Sequence, residues 1–361
     1  MPVSAYPAVS AYLNAVGTAT PPHDIHHAFI DWAGARVAAE DARLFARMAR
    51  RSGIGHRWSV LPPTAEGLSP VSPGGFYAEA MPGTAARMAL YAEAAPALSL
   101  DAVAALANRA DLNGITHLVV ASCTGFVAPG LDQIVARALG LPGSVERLLI
   151  GFMGCYAAVA ALRTARHLVR SEPDARVLVI CCELSTLHLQ ETTALEPLLA
   201  MLQFGDGAAA ALVTNEPHGF ALDAPFAATL PDSDALIRWA ITDTGFAMHL
   251  SGEVPRRIAD ALDDDAFRTT VTAGRDAHAI DGWAVHAGGR SILDAVEQAL
   301  ALPGDALAPS RSVLADHGNM SSATLMFVLE RLLAGPPVEH GVALAFGPGL
   351  AAEGFGFRSA S

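Results

Sequence analysis

The chain has 361 residues, of which 52% are hydrophobic and 16% are charged, and its formal net charge is −13. This length exceeds the usual size of one domain, so we expect a large core built as two similar halves or two domains. The negative charge argues against a nucleic-acid-binding surface, because such a surface needs a concentrated basic face.

The sequence predicts no signal peptide and no membrane span. Residues 1–16 have no basic stretch ahead of their apolar residues, and the uncharged stretch 112–131 is interrupted by polar residues, a glycine and Pro129. Four cysteines, of which Cys181 and Cys182 are adjacent, make a poor disulfide framework for so long a chain. We therefore expect a cytoplasmic protein.

Apolar β-branched runs alternate with helical patterns rich in Ala and Leu. In chain order, the first half has a strand at 117–122, helices at 131–139 and 154–169, and a strand at 175–183. The same order returns with a strand at 282–289, helices at 291–300 and 321–333, and a strand at 340–349. Strands that are apolar throughout are buried on both faces, so the pattern predicts an α/β fold made of two diverged repeats.

The polar residues 214–219 are typical of a turn and mark the seam between the repeats. The sequence therefore divides into an N-terminal half, 1–215, and a C-terminal half, 216–361.

Cys155 stands between a glycine turn and a helical pattern of small apolar residues. A cysteine in the first turn of a helix lies beside free N–H groups and the positive end of the helix dipole, and both favour the thiolate. Alone, the position fits a buried small residue better, because free cysteines commonly pack as small hydrophobes.

His286 and Asn319 add two further chemical groups. His286 ends an apolar strand and meets two glycines, so its imidazole can face a site that backbone or ligand approaches closely. Asn319 follows a glycine and precedes a helix, where its amide can act as a fixed hydrogen-bond donor. Together with Cys155 they form a set of nucleophile, imidazole partner and oxyanion donor.

These three residues resemble the Cys-His-Asn triad of the chalcone-synthase-like type III polyketide synthases, within the thiolase superfamily. The stretches GNMSSA (318–323), FGDGAAA (204–210) and FGPG (346–349) look like that family's motifs in the same order. The resemblance extends over nearly the whole chain.

The resemblance implies a thiolase fold, which is a layered αβαβα arrangement of two diverged pseudo-repeats with mixed, mostly parallel sheets. The half 1–215 would carry the nucleophilic Cys155, and the half 216–361 would carry His286 and Asn319. A homodimer is also implied.

The resemblance further implies a mechanism. Cys155, held as an ion pair with His286, would take the acyl group from an acyl-CoA starter, and His286 with Asn319 would stabilise the enolate formed when malonyl-CoA loses CO₂. Repeated condensation and cyclisation would give a small polyketide, with alkylpyrones or alkylresorcinols as candidate products. No metal, cofactor or carrier protein is implied, and the partners are the two CoA thioesters.

By resemblance, seven further residues line the substrate pocket. Phe204 matches a gatekeeper between the CoA tunnel and the cavity, and Met248 stands where plant members have a second gatekeeper Phe. The small residues Thr124, Ala128 and Ser185 would open a tunnel for a long alkyl chain. Of the three, Ala128 is the strongest indication. The seven are Phe204, Cys123, Thr124, Ala128, Ser185, His188 and Met248.

Arg47 and Arg51 fall on two basic positions that contact the CoA phosphates in the family, a role that the forked guanidinium suits. The third position holds Leu44, and Arg43 is a candidate substitute.

Two other functions stay open. A ketoacyl-carrier-protein synthase III-like condensing enzyme shares the triad, although its motifs differ from HAGG (286–289) and GNMSSA (318–323). A catalytically silent acyl-binding or redox-sensing protein could use the thiol of Cys155 or Cys123. Thiolase chemistry is excluded, because the last cysteine is Cys182 and no second catalytic cysteine follows it. The histidines at 23–27 lack a matching ligand set, so no metal site is expected.

Overall fold

The computed structural model describes residues 10–360. The strands are β1 (Tyr12–Ala19), β2 (His23–Asp24), β3 (Trp58–Ser59), β4 (His117–Ser122), β5 (Glu146–Gly151), β6 (Val177–Leu184), β7 (Asp206–Thr214), β8 (Phe220–Thr229), β9 (Ile237–Thr242), β10 (Gly245–Leu250), β11 (Gly282–Val285), β12 (Gly341–Gly347) and β13 (Ala351–Ser359). The helices are α1 (His26–Gly34), α2 (Ala42–Arg51), α3 (Thr84–Ala107), α4 (Leu131–Ala138), α5 (Ala157–Ser171), α6 (Leu195–Met201), α7 (Val254–Asp263), α8 (Asp265–Thr272), α9 (Arg290–Ala299), α10 (Ala308–His317) and α11 (Ser322–Leu333). Short 3₁₀ turns include Gly154–Tyr156 and Ser185–His188.

Nine strands form one sheet in the order β11-β12-β13-β8-β1-β7-β6-β4-β5. Strands β1, β7, β6, β4 and β5 come from the first half of the chain, and β8, β11, β12 and β13 come from the second. The two half-sheets meet through only two residue pairs of β1 and β8, Tyr12 with Ala221 and Leu13 with Phe220. The layered α/β fold built from two repeats is thus confirmed.

The sheet is mixed, as predicted. Its parallel pairs, β11 with β12 and β4 with both β6 and β5, lie toward the two ends, and the pairs between them are antiparallel. Antiparallel pairs are more numerous than the sequence pattern suggested. The reason is connectivity, because β12 passes to β13 through a short turn, whereas parallel neighbours need a long crossover such as the one containing α5.

Three apolar cores separate the layers. The central core contains α5 and α11 between the inner faces of the two half-sheets, and it includes Ala161 and Leu325. A second core packs α3, α4 and α6 on the outer face of the first half-sheet. A third packs α7, α9 and α10 on the outer face of the second. The two central helices matter for the site, because each begins next to a residue of the proposed triad.

Helix α3 is, within residues 10–360, the one helix long and apolar enough to cross a membrane by length and composition. It packs closely on β1, because a Cβ atom added to Gly17 would lie 2.1 Å from the backbone N of Leu106. Its side chains at Tyr91, Ala95 and Ala102 are buried in the second core. These contacts are those of a core helix.

Candidate active site

Cys155 lies in the 3₁₀ turn Gly154–Tyr156 that leads from β5 into α5. Gly154 has a φ of +75°, and a Cβ there would lie 2.4 Å from the Cδ of Pro348, so both the backbone and the space require glycine. This close approach brings Cys155 against the chain that follows β12.

Burial dominates the ionisation of Cys155 and raises the pKa of its thiol to about 12, although hydrogen bonds with the Ser321 and Asn319 side chains oppose the rise. The position at a helix N-terminus therefore does not by itself give a thiolate in the closed site. The physical reason is that removing the thiolate from water outweighs the hydrogen bonds and the dipole.

His286 follows β11, and its backbone N–H donates to the carbonyl of Leu344 on β12 at 2.8 Å. Both ring nitrogens are buried and have no hydrogen-bond partner among the described residues. Burial lowers the pKa of His286 to about 3. An imidazole with both nitrogens free can exchange a proton with a substrate or with a thiol, because no protein group holds its tautomer.

Asn319 precedes α11, and protein contacts hold its amide. The side-chain oxygen accepts from the backbone N–H of Ser321 at 2.8 Å, and the side-chain nitrogen donates to the carbonyl of Gly288 at 3.3 Å. Because the oxygen is committed, the amide presents its NH₂ group toward the cavity as a fixed donor.

The backbone of Asn319 is paired with the segment that carries Phe204. The N–H of Asn319 donates to the carbonyl of Gln203 at 2.8 Å, and the N–H of Gly205 donates to the carbonyl of Asn319 at 3.0 Å. This pairing joins the first half of the chain to the second at the site.

Cys155, His286 and Asn319 line one cavity, so the structure brings the three residues of the proposed triad together. Five of the seven predicted pocket residues also line it. They are Cys123, Thr124, Ser185, Phe204 and Met248.

Cys123 and Thr124 are tied into the cavity wall from two sides. The Sγ of Cys123 accepts from the backbone N–H of Gly154 at 2.9 Å, directly before Cys155. The hydroxyl of Thr124 and the N–H of Cys123 both donate to a carboxylate oxygen of Glu183 at 2.9 Å. Cys181 and Cys182 lie buried in β6 and do not line the cavity.

Glu183 was missed by the sequence reasoning. It is fully buried near the end of β6, receives a third hydrogen bond from the Ser322 hydroxyl, and burial raises its pKa to about 7. The available signal was a carboxylate within an otherwise apolar strand, since Glu is almost never fully buried without partners.

A second, apolar cavity of about 80 Å³ adjoins the first, and we call it the tail cavity. Ser185, Phe204, Trp239 and Met248 line both, so these four form the passage between them. Trp239 and Met248 lie directly opposite each other on the hairpin of β9 and β10. The remaining wall includes Phe29, Leu61, Val71, Tyr77, Pro197, Ala200 and Met201.

His188 lines the tail cavity as a fixed, neutral side chain. Its Nε2 lies 2.7 Å from the carbonyl of Thr124, its Nδ1 accepts from the N–H of Phe246 at 3.0 Å, and its ring stacks on Phe246. Burial lowers the pKa of His188 to about 4. These contacts leave no ring nitrogen for a substrate.

Ala128 does not join these walls. It is exposed in the loop between β4 and α4 and lines neither cavity. The loop turns outward because Gly125 packs on the ring of Tyr91, where an added Cβ would lie 2.2 Å from ring atoms. The next residue, Phe126, is 44% exposed.

A groove of about 840 Å³ leads from the surface to the catalytic cavity, and we call it the entry groove. Both share Leu250, Gly288 and Ile292. Arg47 and Arg51 line the groove, as the sequence predicted for CoA-binding residues. Leu44 lines it as well, but Arg43 does not.

No cluster of three or more His, Cys, Asp or Glu side chains within residues 10–360 could hold a metal ion. His26, one of the N-terminal histidines, accepts instead from the Nε of Arg57 at 3.0 Å.

Two family models match the chain. The N-terminal domain of chalcone and stilbene synthases matches residues 4–217, and their C-terminal domain matches residues 222–361. Among solved structures, PKS-I from the brown alga Ectocarpus siliculosus is 28% identical with a TM-score of 0.88, over 99% of this chain and 100% of that one. The C-terminal type III polyketide synthase domain of Steely1, a type I/III hybrid from Dictyostelium, is 25% identical with a TM-score of 0.88, over 98% of this chain and 100% of that domain.

Proposed function

Because the chain belongs to the chalcone and stilbene synthase family of type III polyketide synthases, whose members are decarboxylating condensing acyltransferases, we propose a specific cycle for it. It loads an acyl-CoA starter on Cys155, extends the acyl group with malonyl-CoA and cyclises the product. The observation that carries this proposal is the meeting of Cys155, His286 and Asn319 in one cavity at the end of a groove.

Loading begins with proton transfer from Cys155 to His286. Burial disfavours either charge alone, but a thiolate and an imidazolium offset each other's cost when they form as a pair. The thiolate attacks the thioester carbon of the starter, the new C–S bond replaces the old one, and CoA leaves as a thiol with the proton from His286.

Extension needs donors where negative charge develops. When malonyl-CoA loses CO₂, the electron pair moves onto the thioester oxygen, and the Asn319 amide and an N–H of His286 stabilise that enolate. The enolate carbon attacks the acyl-Cys155 thioester, so a C–C bond forms and the C–S bond breaks. Loading and extension release only CoA and CO₂ and otherwise transfer protons. The atoms and electrons of these steps balance without a redox cofactor, a metal or a carrier protein.

The tail cavity supports an apolar starter. Its wall is mainly apolar, and two of its polar groups bond within the protein: the Tyr77 hydroxyl donates to the Thr186 carbonyl at 2.9 Å, and the hydroxyls of Ser59 and Thr186 pair at 2.8 Å. Among the described residues, the Arg57 Nη2, the Ser185 hydroxyl and the Trp239 Nε1 have no partner, and the last two lie in the passage to the catalytic cavity. A growing polyketide carries carbonyls that need donors, whereas a hydrocarbon tail needs none. We therefore place the alkyl chain of the starter in this cavity, with alkylpyrones or alkylresorcinols as products.

The edge strand β5 supports a homodimer. It ends the nine-stranded sheet, and Leu148 and Leu149 on it are 45% and 40% exposed and belong to none of the three cores. An unpaired edge with exposed leucines is a natural contact for a second copy of the chain. The exposed Phe126 belongs to the neighbouring loop that also contains Ala128, and the ring of Phe126 packs at a tilt against that of Phe152, just after β5, with the ring centroids 5.8 Å apart.

In this proposal the two halves of the chain supply different residues of the triad: residues 1–215 supply Cys155, and residues 216–361 supply His286 and Asn319. The four cysteines are all free, which suits the reducing cytoplasm where we place the protein.

Incubation of the protein with malonyl-CoA and a range of acyl-CoAs, followed by mass spectrometry, tests the function. Triketide or tetraketide products from the wild type, and none from Cys155→Ala, are expected. Condensation that occurs once and only on a carrier protein would favour a ketoacyl synthase. No turnover of any thioester would favour a silent acyl-binding or redox-sensing protein.

A further inference from the structure

Arg290 lines the entry groove next to the C-terminal end of α2, although no sequence motif singled it out. It is the first residue of α9, four positions after His286, and therefore comes from the second half of the chain. Arg47 and Arg51, on α2, come from the first half. The three guanidinium groups border one groove in a protein whose net charge is −13.

The stem of Arg290 is packed at the end of α2. A Cβ added to Gly53 would lie 3.8 Å from the Cδ of Arg290, and the Nη1 of Arg290 donates to the carbonyl of Arg51 at 3.3 Å. These contacts hold the Arg290 guanidinium at the C-terminal end of α2, beside the main chain of Arg51, and both arginines line the groove.

The acidic neighbour of Arg290 is already engaged elsewhere. Asp294 lies 2.7 Å from the Nη1 of Arg311, whose Nη2 pairs with Glu297 at 2.9 Å, whereas the Nε of Arg290 lies 3.4 Å from Asp294. Because Asp294 is closer to Arg311 than to Arg290, its carboxylate neutralises the charge of Arg290 only weakly. Its side chain is 48% exposed and has guanidinium hydrogens free for a ligand.

The groove would otherwise be short of positive charge for CoA. A CoA molecule carries a diphosphate and a 3′-phosphate, while α2 offers two arginines and the apolar Leu44. Arg43 is exposed on α2 but does not line the groove. The N-terminus of α9, a ten-residue helix, adds its partial positive charge at the same place.

We propose that Arg290 is a third phosphate-binding residue for coenzyme A, supplied by the second half of the chain in place of the cation that Leu44 does not provide. This inference rests on the proposed use of CoA thioesters. Arg290 contacts a phosphate of the bound thioester and contributes to affinity, not to the chemistry at Cys155.

The test is calorimetric binding of CoA and of pantetheine, which lacks the phosphates and the nucleotide, to wild type and variants. Arg290→Ala is expected to weaken CoA binding roughly tenfold, as for the loss of one charge-assisted hydrogen bond near the surface. Pantetheine binding should not change. Arg290→Lys should retain much of the CoA affinity, because it keeps the charge. Arg43→Ala is the matched control and should bind CoA as the wild type does.

Steady-state kinetics give a second readout. With malonyl-CoA, Arg290→Ala should raise KM about tenfold at unchanged kcat. With the malonyl thioester of N-acetylcysteamine, which has no phosphate, KM should stay the same.

Equal losses with both thioesters, or equal losses of CoA and pantetheine binding, would show that Arg290 only supports the local structure. Unchanged CoA binding by Arg290→Ala would overturn the inference outright. If Arg290→Ala weakens CoA binding but the wild type forms no polyketide, the phosphate-binding role of Arg290 is supported and the proposed function is wrong.

Discussion

Ala200→Phe should shorten the acyl chains that the enzyme accepts. Ala200 is buried on α6 and lines the tail cavity, so a phenyl ring there takes the space of the tail. The cavity volume of about 80 Å³ is roughly half of the ~150 Å³ apolar cavity that holds one benzene molecule. It therefore takes about three tail carbons, and the ring fills it.

The expected loss follows from the methylene count. Each buried methylene contributes about 0.8 kcal/mol, so displacing about three costs about 2.4 kcal/mol, or roughly 50-fold in kcat/KM. The assay is CoA release with saturating malonyl-CoA and starters from acetyl-CoA to palmitoyl-CoA. In the wild type, kcat/KM should rise roughly fourfold per carbon over the lengths that fill the cavity and then level off. In Ala200→Phe the rise should be missing, while acetyl-CoA is used as before.

The matched control is Ala194→Phe, because Ala194 lies at the exposed start of the same helix and lines no cavity. It should keep the wild-type dependence on chain length. A uniform loss at every length in a folded Ala200→Phe protein would refute the placement of the tail. So would a change in length dependence caused by Ala128→Phe instead, since that would show that the tail leaves through the loop after β4.

Three further predictions concern the catalytic donor, the buried carboxyl and the edge strand. Asn319→Ala should slow malonyl-CoA decarboxylation by on the order of 10²–10³ while radiolabelled starter still acylates Cys155, and equal losses in both assays would make Asn319 a helix cap only. Glu183 binds a proton in the folded state that the unfolded chain releases between its ordinary pKa of 4.5 and about 7, so the contribution of Glu183 to stability should fall through this window by up to about 3 kcal/mol. In urea unfolding, the free energy of unfolding of wild type minus that of Glu183→Gln should fall by this amount from about pH 5 to about pH 8, because Asp206 and the buried histidines titrate in both proteins and cancel. A difference that does not change with pH would show that Glu183 is not the group. Leu149→Asp should convert the proposed dimer to a monomer in sedimentation equilibrium, and a dimer of unchanged stability would place the interface away from β5.

The sequence was most informative where local chemistry is distinctive. Cys155, His286 and Asn319 each stand at the junction of a strand or turn with a glycine or helix start, and the structure brings them to one cavity. The apolar runs likewise mark strands such as β6 and β12, because burial on both faces leaves a continuous hydrophobic pattern.

The features that could not be predicted from the sequence are those formed between distant segments of the chain. The tail cavity is walled by α1, α6, the loop around Val71 and the hairpin of β9 and β10, and no short stretch of sequence encodes such a junction. Arg290 was overlooked for the same reason, since its place beside Arg51 depends on the packing of α9 against α2. Ala128 is exposed and lines neither cavity in the single chain, and its place on a tunnel stays a prediction because that role depends on the contact with a second copy.

The paired backbone of Asn319 and the Phe204 segment has a mechanical consequence. Hydrogen bonds on both sides of Asn319, to Gln203 and from Gly205, couple the gate and the oxyanion donor as one rigid piece. A substrate that pushed this segment aside would also displace the Asn319 amide, which we propose donates a hydrogen bond to the enolate oxygen. We therefore expect passage between the two cavities to depend on rotation of the Phe204 and Met248 side chains about their own bonds, with the main chain stationary. The enzyme can thus admit a bulky chain and keep its donor aligned in the same turnover.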